Sequence, residues 1–292
     1  MSTPLETKSK TPRATMFLTG SKRKVLIALF GIIILLSGSL VNFIQGKYAV
    51  PIAMYHSVNP GALPGNMLAV LPTTFERQMR FLKSHHYNVL PLESLATLIK
   101  ERKKIPSKTI SITFDDGYKD NYIYAFPILK KYHLPATIFI ITDEVGRADR
   151  LSWDEIKAMQ DSGIITFGSH TLGPEPLINI KSEQDLKKQV FDSKKILEEK
   201  LGRPISAFSY PEGRFNNRIK QLVMTAGYKL AVATNPGRKF SSDDIFALKR
   251  LRISANSNSL FIFWIETSGY YNFIREHRHK KIASRRPKEV PF

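Results

Sequence analysis

The chain has 292 residues, enough for one large domain or two small ones, and its 42% hydrophobic content is that of a globular protein with a real core. It holds no cysteine, which excludes disulfides and thiolate metal sites, so any metal must be bound by histidine and carboxylate. The formal charge of +19 invites nucleic acid, yet residues 1–24 carry six Lys/Arg against one Glu and residues 275–292 carry seven against two, with no zinc-finger spacing or RNA-binding aromatic signature; the expected partner is an anionic surface and not nucleic acid.

Residues 1–21 are rich in Ser, Thr, Pro and Lys without apolar periodicity and read as disordered, and 1–24 as a whole form a basic tail. Val25 to Ile44 then runs apolar, broken by Ser37, Ser39 and Asn42. Twenty residues at helical rise span about 30 Å, the thickness of a bilayer core. Lys22, Arg23 and Lys24 before the run place the N-terminus in the cytoplasm. A cleaved signal peptide is the alternative, but no convincing small-x-small site follows. The expectation is a single-pass, uncleaved anchor over 25–44 with membrane lipid as its partner. An extracytoplasmic domain over 45–270 and a basic tail over 271–292 follow.

From Ala49 strands and helices alternate. The pattern predicts a strand over Pro51–Val58, a helix over Phe75–His86, a short strand over Asn88–Leu90 and a helix over Leu92–Arg102. SITFDDG at Ser111–Gly117 predicts a strand that delivers Asp115 and Asp116 to a glycine turn. Adjacent residues at a strand end point different ways, so one carboxylate can hold a metal while the other faces a substrate. An Asp-Gly turn with a solvated acidic pair is the plainer alternative. Next come a helix over Tyr122–Tyr132 with Pro127 forcing a kink or late start, a strand over Ala136–Ile141, and a helix capped by Ser152 with Glu155 three residues on. A strand at Ile164–Phe167 leads to His170. A helix over Glu183–Leu201, a strand at Ala207–Tyr210, a helix over Asn217–Ala226 and strands at Leu230–Thr234 and Leu248–Ile253 complete the pattern. Eight strands alternating with helices imply a parallel sheet closing into a barrel, with chemistry at the C-terminal strand ends. Asp115, Asp116, His170, the Pro211-Glu212-Gly213 turn and His56 should all face that mouth, although His56 is equally read as a structural histidine.

Three ordered motifs then carry a resemblance: TFDDG at Thr113–Gly117, SHT at Ser169–Thr171 and SYPEG at Ser209–Gly213. With MYHSV at Met54–Val58, they resemble the polysaccharide deacetylases, carbohydrate esterase family 4 or NodB-homology domain, in its membrane-anchored branch. The resemblance implies a distorted (β/α) barrel, here preceded by one transmembrane helix, and hydrolysis of acetyl groups from an acetylated polysaccharide. It also implies a divalent metal, zinc or else manganese or cobalt. Asp115 is then the general base, Asp116 and His170 metal ligands, and Tyr210 to Gly213 the oxyanion loop, with His56 near the substrate. The family's second metal histidine lies four or five residues after the first, where this chain has Pro174 and Glu175; Glu175 is either a substitute carboxylate ligand or a solvated loop residue at a site where Pro174 has ended metal binding. The acidic-tryptophan motif and the late Leu-to-His motif are not visible, and Ser241–Ile253 contains Asp243 and Asp244 but neither Trp nor His. The alternative function is a glycan-binding scaffold that has lost turnover with its histidine.

Overall fold

A computed structural model of the protein describes residues 49–234 and 244–271. The chain divides between Tyr48 and Ala49, and the second unit is the one described. The expected anchor at 25–44 and nearly all of the basic tail at 271–292 lie outside the described residues. Among the described residues no helix is long and apolar enough to cross a membrane.

In chain order the elements are β1 Ile52–Tyr55, β2 Ser57–Val58, β3 Ala69–Val70, α1 Pro72–Ser84, β4 Asn88–Val89, α2 Leu92–Lys100 and β5 Thr109–Phe114. A π-turn at Asn121–Ala125 leads into α3 Phe126–Tyr132, then β6 Ala136–Ile140, α4 Trp153–Asp161, β7 Ile165–Ser169 and α5 Glu183–Leu201. The last are β8 Ala207–Ser209, α6 Asn217–Thr225, β9 Leu230–Ala233, β10 Leu248–Lys249, β11 Leu251–Arg252 and α7 Leu260–Glu266. The main sheet runs β10-β9-β8-β7-β6-β5-β1-β11, with β4 beside β5, and every pairing in it is parallel. Its two end strands are separated in sequence by Arg250 alone, so the sheet closes almost completely, as the barrel expectation requires.

The closure corrects the single strand expected at Leu248–Ile253. Leu248 registers with Val232 on β9, whereas Leu251 registers with Ala53 on β1, and one straight strand cannot serve both edges. The chain steps across at Arg250, whose N–H goes to the Ala233 carbonyl. The strand expected at Pro51–Val58 is likewise two, because the chain leaves the main sheet at His56 and β2 pairs with β3 instead. Helix α1 starts at Pro72, earlier than expected, since proline suits a first helical turn. Pro127 also sits in a first turn, of α3, and the late start it forces is filled by the π-turn. The Ser152–Glu155 capping box forms as expected, each side chain bonded to the other's backbone N–H.

Strand β5 is buried throughout. Its apolar residues Ile110, Ile112 and Phe114 join the larger core with Phe75, Met79 and Leu129 from the helices. The alternate residues Ser111 and Thr113 bond the carbonyls of Leu90 and Ala53. A second, smaller core is formed by Ile52, Phe139, Ala207, Val232 and Leu248 with Leu92, Leu95 and Ala96 of α2. That core fills the barrel, and α2 plugs its lower end. Gly168 on β7 makes room for it: a Cβ there would stand 2.5 Å from the Phe139 ring and 2.8 Å from the Ala207 carbonyl oxygen.

Candidate active site

Four strand ends converge at the upper mouth. Asp115 follows β5, His170 follows β7, Ser209 ends β8, and Arg250 lies between β10 and β11. Each of the three motifs places one non-glycine residue in the left-handed region just past its strand: Asp116 at φ 71°, Thr171 at 70° and Glu212 at 54°. Such backbone costs about 1–3 kcal/mol per residue and collects at functional sites. At Thr171, where a branched Cβ makes it worst, the hydroxyl donates to the carbonyls of His170 and Gly173.

Asp115 is 3% exposed and is gripped by both ends of one guanidinium. Arg250 Nη1 donates to Oδ1 at 2.6 Å and Nη2 to Oδ2 at 2.6 Å. The same Arg250 donates to Ser209 Oγ at 2.9 Å and to Thr113 Oγ1 at 3.3 Å. It lies over the Phe139 ring at 5.5 Å, so the apolar barrel filling carries the cation from below. Burial opposes ionisation of Asp115, but the charge of Arg250, then His170, and the paired hydrogen bonds overcome it and hold the carboxyl far below the ordinary range. Asp115 is an anion fixed in place.

His170 is also buried. Its Nδ1 faces the Ser209 carbonyl at 2.8 Å, and since a carbonyl can only accept, Nδ1 carries the proton. Nε2 therefore turns its lone pair toward Asp116 Oδ1 at 3.4 Å and Asp115 Oδ2 at 4.0 Å. A neutral imidazole would face two anions with a lone pair, so the arrangement calls for a cation. A proton is one answer: burial disfavours the charged ring, but Asp115 and Asp116 outweigh it and raise the pKa of His170. A metal ion is the other. Two donors each about 2.1 Å from one tetrahedral ion stand about 3.4 Å apart, the separation found between His170 and Asp116. The pair fits a divalent metal.

A third protein donor is not brought to it. Glu175 is exposed, and among the described residues no three His, Cys, Asp or Glu groups are arranged to hold an ion. The structure thus gathers Asp115, Asp116 and His170 and leaves Glu175 on the loop surface.

The expected oxyanion donors are rearranged as well. Tyr210 N–H is spent on the Val232 carbonyl and Gly213 N–H on the Tyr210 carbonyl. The Tyr210 hydroxyl goes to the Phe246 carbonyl, and its ring stacks on Phe215 at 4.2 Å. Pro211 has no N–H, which leaves the Glu212 N–H as the donor this turn can offer. Gly213 has a positional reason of its own, since a Cβ would stand 2.5 Å from the Thr234 nitrogen.

His56 sits where the chain leaves β1. It is 9% exposed, and its Nδ1 is buried without a hydrogen-bond partner. Burial lowers its pKa, while the nearby Asp115 and Asp116 act to raise it. A clamp from the segment that follows the Asp pair holds its backbone. Asn121 Nδ2 donates to the His56 carbonyl at 2.8 Å, and Asp120 accepts from Ser57 Oγ and from Val58 N–H. Sequence reasoning did not assign Arg250, Ser209 or Asn121. Arg250 had a signal: from Leu248, which is inside, period-two alternation puts Arg250 inside too.

Comparisons with known proteins agree with the fold. The model of the family described as polysaccharide deacetylase matches residues 102–231. YxkH of Bacillus subtilis (strain 168), named as a polysaccharide deacetylase, is 35% identical over 219 residues, which is 75% of this chain and 76% of that protein. A poly-beta-1,6-N-acetyl-D-glucosamine N-deacetylase of Staphylococcus aureus (strain MRSA252) is 32% identical over 206 residues, 66% of each chain. Among solved structures, the Streptococcus pyogenes deacetylase PplD in complex with acetate matches with a TM-score of 0.64 at 30% identity, covering 71% of this chain and 93% of that one.

Proposed function

The chain belongs to the polysaccharide deacetylase family, and on that footing we propose that it is a metal-dependent hydrolase removing acetyl groups from an N-acetylated cell-surface polysaccharide. The observation that carries the reading is the His170–Asp116 pair at 3.4 Å beside an Asp115 locked by Arg250. Asp116 and His170 would hold the ion, zinc or else manganese or cobalt, and further positions are left to solvent and substrate. When bound, a divalent ion supplies Lewis acidity toward the acetyl carbonyl and toward water.

The chain's own groups do the rest. Asp115 is charged and fixed, and takes the proton of the attacking water; Arg250 trades some of its basicity for position. The Glu212 N–H faces the charge that develops on the acetyl oxygen. The proton that Asp115 takes from water is the one the departing amine must receive, and His56, a further imidazole beside the carboxylates, relays it, so the amide and water become amine and acetate.

The test is acetate release from N-acetylglucosamine oligomers by the full chain, stripped of metal and then restored. Release should require the ion. Asp115→Asn should retain bound metal while losing about 10² to 10⁴ in rate, whereas Asp116→Asn should lose metal first. Oligomer binding without acetate release under any ion would replace the enzyme with a glycan-binding scaffold.

The reading extends to location. Residues 25–44 are proposed to anchor the chain uncleaved, with residues 45–270 outside the cytoplasm. The length of the run and the cations before it support this, and a mature protein beginning after Gly46 would overturn it.

A further inference from the structure

Helix α7 carries an apolar face that the barrel does not use. Phe263 and Glu266 turn inward, Phe263 packing edge-on against Phe81 of α1 at 6.0 Å. Leu260, Phe261, Ile262 and Trp264 stay 37%, 66%, 41% and 49% exposed. From Leu260 to Ile265 no side chain is charged, and the Phe261 and Trp264 rings lie 5.9 Å apart as one surface. A contiguous exposed patch of this kind marks a contact.

Two features say what covers it. First, Ala49 N–H donates to the Gly269 carbonyl at 2.9 Å, so the end of α7 lies beside the point where the chain enters the domain. Residues 45–48 alone separate that point from the apolar run at 25–44, and five extended steps reach at most about 18 Å. Secondly, the sequence beyond α7 turns basic, with seven Lys/Arg against two acidic residues over 275–292. Each cation near an anionic lipid surface contributes about 1 kcal/mol of attraction. Aromatic rings beside cations are the chemistry of the lipid headgroup level.

We propose that the outer face of α7 docks on the interface of an anionic bilayer, a second membrane contact that rests on the anchor proposed above. Ala49 lies at the end of β1 away from His56, so this contact puts the lower end of the barrel on the lipid and turns the mouth with Asp115 outward.

The chain contains two tryptophans, Trp153 and Trp264, which makes the test direct. The full chain with Trp153→Phe is reconstituted into phosphatidylcholine–phosphatidylglycerol vesicles containing acyl-brominated lipid. Trp264 should lose most of its emission, and Phe261→Asp should restore it. In a Trp264→Phe chain, Trp153 should keep its emission. A chain that floats with the vesicles while Trp264 is unquenched overturns the contact and leaves the anchor standing. A chain that does not float with them overturns the anchor and the contact together. An emission shift that needs high protein concentration and ignores bromine assigns the face to a second copy instead and also overturns the proposal.

Discussion

At the scale of single residues the site is organised by one buried ion pair. Arg250 and Asp115 are both shielded from water and have the bidentate geometry that makes such pairs strong. Removing either partner leaves a bare charge in the barrel, which typically costs about 3–5 kcal/mol. Arg250→Met and Asp115→Asn should each lower the unfolding free energy measured in urea by that order, and the double variant should lose clearly less than their sum. Full additivity in that cycle would mean the two side chains are not coupled. The clamp on His56 is tested differently. Asn121→Ala should lower kcat by about 10² with little change in KM, as expected when a reacting group is displaced but substrate contacts persist. A lower melting temperature with full kcat would reduce Asn121 to a packing role. None of these partners is adjacent in sequence: Arg250 is 135 residues from Asp115 and Asn121 is 65 from His56.

At the scale of elements, Gly168 and α7 make the sharpest claims. Gly168→Ala drives a methyl into the Phe139 ring and the Ala207 carbonyl. It should cost at least about 1–3 kcal/mol, the range for overpacked cores, and Phe139→Leu should recover part of it. Within α7, Glu266 is buried with Oε2 unpartnered, and burial raises its pKa against the opposing bond from Ser257. The native state therefore binds its proton more tightly than the unfolded chain, so stability is fully present below the unfolded value near 4.5 and is lost as pH rises through the folded one. Glu266→Gln should raise the melting temperature at neutral pH, and the gain should vanish as pH falls toward about 4. A gain that persists unchanged in acid would refute the assignment. The elements themselves were largely legible, because β5, β6 and α5 carry their periods in local residue types. The step at Arg250, the departure at His56 and the π-turn were not, since each is set by a partner strand or loop distant in sequence. The same holds for the site: the three motifs announce Asp115, Asp116 and His170, whereas the exposure of Glu175 and the spent N–H groups of Tyr210 and Gly213 depend on how the loops fold back.

At the scale of the whole molecule the barrel has a direction. Its strands all begin at the end where Ala49 enters and end at the mouth that holds the site. The lower end is stopped by Leu92, Leu95 and Ala96, so substrate reaches Asp115 from above. This polarity and the closing of the sheet could both be read from the alternation of strands and helices, while the place where it closes could not, because that depends on two two-residue strands with ordinary composition.

The closing step at Arg250 also bears on how the protein is made. Until the ribosome has delivered residues 248–252, β1 and β9 are both bare edges and Asp115 lacks its Arg250 partner. A message truncated even a few codons early would thus yield an open sheet with two sticky margins and a stranded charge, prone to pair with its neighbours. Quality-control proteases should meet that product as an aggregation hazard, whereas truncation a little later, beyond α7, would leave the barrel shut.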